Sequence, residues 1–160
     1  MKFRSFVSLA AVVSSVLVLM TSLARADFPF TPDTSVVGSL CTNNDSDFAE
    51  YRYPEQVPYC RRNLSSSEKR KIYEAYGIPE HCRSEYTIDH FIPLSLGGTN
   101  RMNNLWPEAK SIKKLRQNLE LELFQRLKSG AITQAEAVAA IRDAKFNPPI
   151  HDPSSMSFCL

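Results

Sequence analysis

Residues 86–108 read YTIDHFIPLSLGGTNRMNNLWPE, and this stretch indicates how the chain folds. Tyr86-Thr87-Ile88 is rich in aromatic and β-branched residues, as strands are, and Pro93 ends regular pairing soon afterwards. Gly97-Gly98 then allows a tight reversal, and Asn104-Leu105-Trp106 can begin a second strand. The stretch therefore predicts two short strands joined by a looped connection.

Helices are predicted on both sides of these strands. Capping-box spacing places helix starts at Ser65, with Glu68 reaching back, and at Thr133, with Glu136 reaching back. The final helix is expected to end near Lys145. Between them, apolar residues recur every three or four positions and predict one long helix over residues 111–128 with a single buried stripe. The stripe consists of Ile112, Leu115, Leu119, Leu123 and Leu127.

The whole chain is predicted to divide into four segments. Lys2 and Arg4, an apolar run and Ala24-Arg25-Ala26 predict a secretory signal peptide over residues 1–26, cleaved after Ala26. Residues 27–64 contain four prolines and a polar cluster, which predict an irregular N-terminal arm. Residues 65–147 form one domain, and 148–160 a C-terminal tail. The predicted class is α+β, and the mature protein is expected to be secreted or periplasmic and free of the membrane.

Removal of the signal peptide changes the charge of the chain. Three of its 19 Lys and Arg residues are lost and none of its 17 Asp and Glu, which leaves a net charge of −1. A mature chain of this kind does not attract nucleic acid through its overall charge, so such binding requires a local basic face.

The four cysteines predict disulfides rather than a zinc site. An even count in an exported chain favours two bridges, and four cysteines allow three pairings. The short loop favours Cys41 with Cys60, which would pin the arm, and leaves Cys82 with Cys159. No two cysteines are closer than about twenty residues, so the paired ligands of a structural zinc site are missing.

Asp89-His90 is the candidate for chemistry. On a regular strand the two side chains face opposite ways, so they share a site only if the strand ends or twists there. Pro93 and the double glycine predict that it does. A carboxylate can bind a hard cation such as Mg²⁺, and an imidazole can accept a proton from water near neutral pH.

This part of the chain resembles the HNH (ββα-metal) endonuclease superfamily, in particular a branch of small exported bacterial HNH-like proteins. The resemblance rests on Asp-His, x-x-Pro, Gly-Gly, Asn-Leu with Asn104 fourteen residues after His90, and a following helix. The resemblance covers residues 85–130. It implies a ββα-metal hairpin-helix core within an HNH-like nuclease domain at 65–147. By position, His90 matches the general base, Asp89 the metal-binding carboxylate, and Asn104 the asparagine that holds the loop and the base in place.

One position departs from the family pattern. The third family residue, a His or Asn at the start of the helix, falls here on Lys113 and Lys114, and an ammonium cannot bind a cation. Either Glu108 replaces the missing ligand, or Asp89 and waters hold the metal alone, or the site is weak or inactive. Glu120 is a poorer candidate, because it is expected two turns further along the helix.

The same helical turn is rich in basic residues. These side chains can bind a phosphate backbone, although a solvated helix face is the equally weighted alternative. They are Lys110, Lys113, Lys114 and Arg116.

The resemblance implies a secreted endonuclease that hydrolyses DNA, with RNA as a second candidate, using Mg²⁺ or alternatively Mn²⁺. The alternative is an inactive HNH-fold protein that binds nucleic acid or another protein. A serine hydrolase is disfavoured because Gly-x-Ser-x-Gly is absent from the sequence. Nothing in the sequence identifies an immunity or inhibitor protein.

Overall fold

A computed structural model describes residues 31–33, 36–150 and 159 of the chain. The predicted signal peptide at residues 1–26 lies outside the described residues, and so do residues 151–158 and 160 of the predicted tail. The α+β class is confirmed. In chain order the elements are β1 (Phe48–Arg52), β2 (Val57–Cys60), α1 (Ser66–Ala75), β3 (Tyr86–His90), β4 (Leu105–Ala109), α2 (Lys110–Lys114), α3 (Leu119–Lys128) and α4 (Gln134–Phe146).

Both strands predicted from residues 86–108 are confirmed. β3 and β4 pair antiparallel, with Tyr86 opposite Ala109 and His90 opposite Leu105. The connection between them carries two short 3₁₀ turns, at Leu94–Leu96 and Met102–Asn104. A hairpin followed directly by α2 is the ββα order that the sequence predicts.

Glycine is favoured at both positions of the connection, Gly97 and Gly98, for different structural reasons. Gly97 adopts a φ of 89°, in the left-handed region that favours glycine. Gly98 lies so close to Ile92 that an added Cβ would stand 1.8 Å from its carbonyl oxygen. A side chain at Gly98 would push the loop away from the end of β3, and one at Gly97 would collide with Gln134 and Val57.

The predicted helix starts are confirmed, but the long helix is not continuous. Ser65 and Thr133 both form the capping boxes that their spacing predicts. The predicted helix over residues 111–128 is divided into α2 and α3 by a turn, and Leu115 is 46% exposed rather than buried. The physical reason is Arg116, whose side chain turns inward to a buried carboxylate at this point.

The N-terminal arm is more regular than expected. β1 and β2 form an antiparallel hairpin, with Arg52 opposite Val57. Its turn uses Tyr53 and Gln56 at φ values of 65° and 60°, conformations for which the usual sequence signal is glycine. The arm contacts the connection between β3 and β4, where the backbone N–H of Cys41 donates to the carbonyl of Gly97 at 2.8 Å.

The core lies between the connection of β3 to β4 and the helices α3 and α4. Its buried apolar side chains include Phe91, Leu96, Trp106, Leu127 and Ile141. The disulfides Cys41–Cys60 and Cys82–Cys159 are both formed, as predicted. They are compatible with an extracellular location. Among the described residues, no helix is both long and apolar enough to cross a bilayer.

Candidate active site

His90, the last residue of β3, lies at a small polar pocket. The pocket has a volume of about 220 Å³. The polar side chains that line it are Arg62, Asp89, His90, Ser95, Lys113 and Glu120. Asp89 and His90 thus share one site, as expected for a strand that ends at this point. Four of the six side chains are charged types, two basic and two acidic, and Lys113 is paired with Asp89.

The contacts of the His90 ring define its neutral form. Nδ1 lies 3.3 Å from a guanidinium nitrogen of Arg62, and Nε2 lies 2.9 Å from the amide oxygen of Asn100. A guanidinium can only donate, so Nδ1 accepts and Nε2 carries the proton that it donates to Asn100. Nδ1 is therefore the nitrogen that can accept a proton from a reacting group.

Burial lowers the pKa of His90 below its usual value of 6.5, and the positive charge of Arg62 acts in the same direction. The hydrogen bond with Asn100 opposes this shift. The imidazole is therefore neutral at physiological pH, which is the form that a general base requires.

Asn100 orients the imidazole and is itself held by the N-terminal arm. Its amide nitrogen donates to the carboxylate of Asp47 and, at 2.8 Å, to the carbonyl of Arg61. Arg61 and Arg62 directly follow Cys60, whose disulfide to Cys41 fastens this part of the arm. The arm therefore supplies Arg62 and holds Asn100, the two side chains that contact the ring.

Asn104 holds the connection between β3 and β4 through its side chain. Its side-chain oxygen accepts from the Ile92 amide at 2.8 Å, and its nitrogen donates to the carbonyls of Ile92 and Thr99 at 3.0 and 2.8 Å. The Asn104 carbonyl also accepts from the Phe91 amide at 2.7 Å. Asn104 is fully buried, so it fixes the backbone that follows His90 but does not reach the pocket.

Two ammonium groups lie against Asp89. Lys113 contacts Oδ1, and the buried Lys145 lies 2.5 Å from Oδ2. Burial alone would raise the pKa of Asp89, but the adjacent charges of Lys145 and Lys113 outweigh it and lower the pKa to about 2. Asp89 is therefore ionised and paired on both oxygens.

Glu108 and Arg116 are corrections to the predicted site. Glu108, expected as a substitute metal ligand, is fully buried, and its carboxylate pairs with Arg116. Arg116, expected to bind a phosphate backbone, has a side chain that is only 5% exposed and also lies 3.7 Å from Glu120. Because the two partners are sequestered together, neither is available to a ligand in the pocket. Glu120, the poorer candidate, is the glutamate that lines it.

The remaining basic residues of α2 separate into two groups. Lys113 is half-buried and lines the pocket. Lys110 and Lys114 are exposed on the same short helix and do not line it. Of these lysines of α2, Lys113 is therefore the one that brings charge into the pocket of His90.

The carboxylates do not fit a resident Mg²⁺ or Mn²⁺. Mg²⁺ needs near-octahedral oxygen ligands and is usually held by one or two carboxylates. Both oxygens of Asp89 already face an ammonium, and Glu108 faces Arg116. A cation at Asp89 would have to displace these buried partners.

Within the described ranges, two other groups of ligand-type atoms lie within 4.8 Å of one another: His81, Cys82 and Cys159, and Cys41, Asp45 and Cys60. Each group contains the two cysteines of a disulfide, whose sulfurs are not the thiolates that bind metals. Neither is a metal site in the oxidised protein.

Sequence reasoning missed Arg62, Asn100 and Lys145. Lys145 alone carried a signal, since it follows Ala137 and Ile141 at four-residue steps on the buried face of α4. A lysine on an apolar stripe predicts a buried charged partner. Arg62 and Asn100 reach the His90 ring through tertiary contacts that no local pattern indicates.

Comparisons of the chain with protein-family models, with curated proteins and with solved structures found no match.

Proposed function

We propose that this protein is a secreted phosphodiester hydrolase that cleaves nucleic acid, DNA in the first place and RNA as a second candidate, at the pocket of His90. The observation that supports it is the neutral imidazole held between Asn100 and Arg62, with the ammonium of Lys113 in the same pocket. A base beside fixed positive charge is the arrangement that attack on a phosphodiester requires.

The chemistry follows from these positions. The Arg62 guanidinium first leaves Nδ1 of His90 and turns to a phosphoryl oxygen. A water molecule at Nδ1 then attacks phosphorus and gives its proton to Nδ1, while the bond from phosphorus to the leaving oxygen breaks. The leaving oxygen takes a proton from solvent. Arg62 and Lys113 would stabilise the negative charge that grows on the other phosphoryl oxygens, and Asn100 keeps the ring turned towards the water.

The ββα arrangement adds support from the family resemblance. β3, β4 and α2 follow one another in the expected order, and Asn104 clamps the loop after His90. Export after cleavage at Ala26 would bring the enzyme to environmental DNA or to the nucleic acid of a competitor or host. The two disulfides suit such an oxidising location.

The test is a cleavage assay with the oxidised mature protein. Supercoiled plasmid and a structured RNA are incubated with it in Mg²⁺, in Mn²⁺ and in EDTA. We expect cleavage by the wild type and a loss of about 100-fold or more in His90→Ala, the usual contribution of a general base. His81→Ala is the matched control, because His81 is exposed and lies outside the pocket.

One observation favours a second candidate function. Asp89, the carboxylate expected to bind the metal, is paired with two lysines. A protein with this arrangement could bind nucleic acid without cleaving it. Salt-sensitive DNA binding with no cleavage under any of the three conditions would establish this alternative and reject the hydrolase.

A further inference from the structure

Lys145 is a buried cation at the centre of the site. Its side chain is fully buried, and its ammonium lies 2.5 Å from Asp89 Oδ2, 2.6 Å from the carbonyl oxygen of His90 and 3.2 Å from Glu120. An ammonium has three N–H donors, and two of them are used by Asp89 and the carbonyl of His90, while Glu120 adds an ion-pair contact. Such a group is part of the fold rather than a mobile surface charge.

The positive and negative side chains in the network around Lys145 are equal in number. The three carboxylates in this network, Asp89, Glu108 and Glu120, face three cations, Lys113, Arg116 and Lys145. Arg62 is the additional positive charge at the pocket, next to His90. The network and Arg62 together therefore carry an excess of one positive charge, and a phosphodiester carries one negative charge.

We propose that Lys145 and Lys113 take the place of a divalent cation at Asp89, so that the pocket binds a phosphate group, and cleaves its ester, without metal. The inference rests on the proposed function for the cleavage step alone. Lys113 and Arg62 are the phosphate-binding groups, and Lys145 is a positioning residue that holds Asp89 and the carbonyl of His90.

The geometry gives each lysine a distinct part. Lys113, with a side chain 38% exposed, reaches from α2 over Asp89 into the pocket, where a phosphoryl oxygen can accept from its remaining N–H groups. Lys145 cannot touch a ligand, because it is enclosed. A divalent ion at Asp89 would leave the buried Lys145 beside a second positive charge, an arrangement that burial makes strongly unfavourable.

The first measurement is Mn²⁺ binding to the oxidised full-length mature chain, followed by electron paramagnetic resonance. We expect no saturable site in the wild type and binding at least tenfold tighter in Lys145→Met, because Oδ2 of Asp89 is then released. Lys113→Met, which alters a half-exposed side chain, gives the same test if Lys145→Met does not fold. Two results would overturn the proposal. One is saturable Mn²⁺ binding to the wild type that Asp89→Asn abolishes, and the other is equal Mn²⁺ affinity in the wild type, Lys145→Met and Lys113→Met.

The second measurement is the binding of inorganic phosphate by calorimetry in EDTA. We expect binding to the wild type, at least tenfold weaker binding to Lys113→Met, and no change in Lys69→Met, which alters an exposed lysine on α1. Binding that requires added Mg²⁺ would overturn the proposal.

The cleavage assay separates this inference from the proposed function. Equal cleavage of plasmid in EDTA and in Mg²⁺ supports both. Cleavage that requires a divalent metal overturns the metal-free inference and leaves the hydrolase in place. If nothing is cleaved, the hydrolase is rejected, and the Mn²⁺ and phosphate titrations still decide whether the lysines replace the cation.

Discussion

Replacement of Lys145 by methionine tests the buried charge network. Methionine keeps an unbranched side chain of similar length but removes the ammonium and its contacts with Asp89, Glu120 and the carbonyl of His90. Asp89 keeps Lys113, and Glu120 keeps Arg116. The variant therefore removes one cation from the buried Asp89 and one from the partly exposed Glu120 without isolating either.

The expected loss of stability follows from this arrangement. Removing one partner of a buried ion pair costs about 3–5 kcal/mol, and we expect about 3 kcal/mol here because each carboxylate retains a cation. At roughly 4 °C per kcal/mol for a domain of this size, Tm should fall by about 12 °C. Lys69→Met, on the exposed face of α1, should stay within about 0.5 kcal/mol of the wild type.

The assay is urea unfolding of the oxidised chain, followed by circular dichroism at neutral pH and down to pH 2.5. The pKa of Asp89 is about 2 in the fold and 3.8 ordinarily, so its stabilisation is complete above about pH 4 and is lost as pH falls towards 2. This difference corresponds to about 2 kcal/mol in the wild type and should shrink in Lys145→Met, which lacks the main opposing charge. A change below about 1 kcal/mol at neutral pH would refute the reasoning, because removing one partner of a buried ion pair should cost several times that amount.

Three further outcomes are expected. Asn104→Ala removes three hydrogen bonds from the loop, including both to Ile92, and should lower the free energy of unfolding by about 3 kcal/mol in urea. The pH–rate profile should show an acid limb with a midpoint below 6.5, since burial lowers the pKa of His90 and the base must be neutral; a midpoint above 6.5 contradicts this assignment. Intact-mass analysis of the exported protein should show Asp27 as its first residue, whereas recovery of Met1 in a membrane fraction would contradict cleavage.

The hairpin and the helix starts could be predicted because their signals are local. Pro93 and Gly97-Gly98 mark the end of β3 and the reversal, and capping boxes at Ser65 and Thr133 begin α1 and α4. Each signal acts within a few residues of the backbone that it shapes. The arm hairpin gave no such signal, because its turn places Tyr53 and Gln56, rather than glycine, at positive φ.

The candidate site was only partly predictable because long-range pairing decides its charges. The Asp89-His90 pair could be picked out from the sequence, and the family resemblance implied the asparagine clamp, but the partners of Asp89 come from α2 and α4. The apolar repeat also continued through Leu115, whereas the structure breaks the helix so that Arg116 can neutralise Glu108. A periodic pattern records which side chains are apolar, and it cannot record which buried charge will need a partner.

The central claim is that the His90 imidazole acts as the base in phosphodiester cleavage, and chemical rescue tests it most directly. His90→Gly opens space for free imidazole beside Arg62 and Asn100. We predict that His90→Gly cleaves a fluorescent DNA oligonucleotide about 100-fold more slowly than the wild type, and that added imidazole restores part of the rate with a dependence on its neutral form. A His90→Gly rate within threefold of the wild-type rate, with no response to imidazole, would contradict the account.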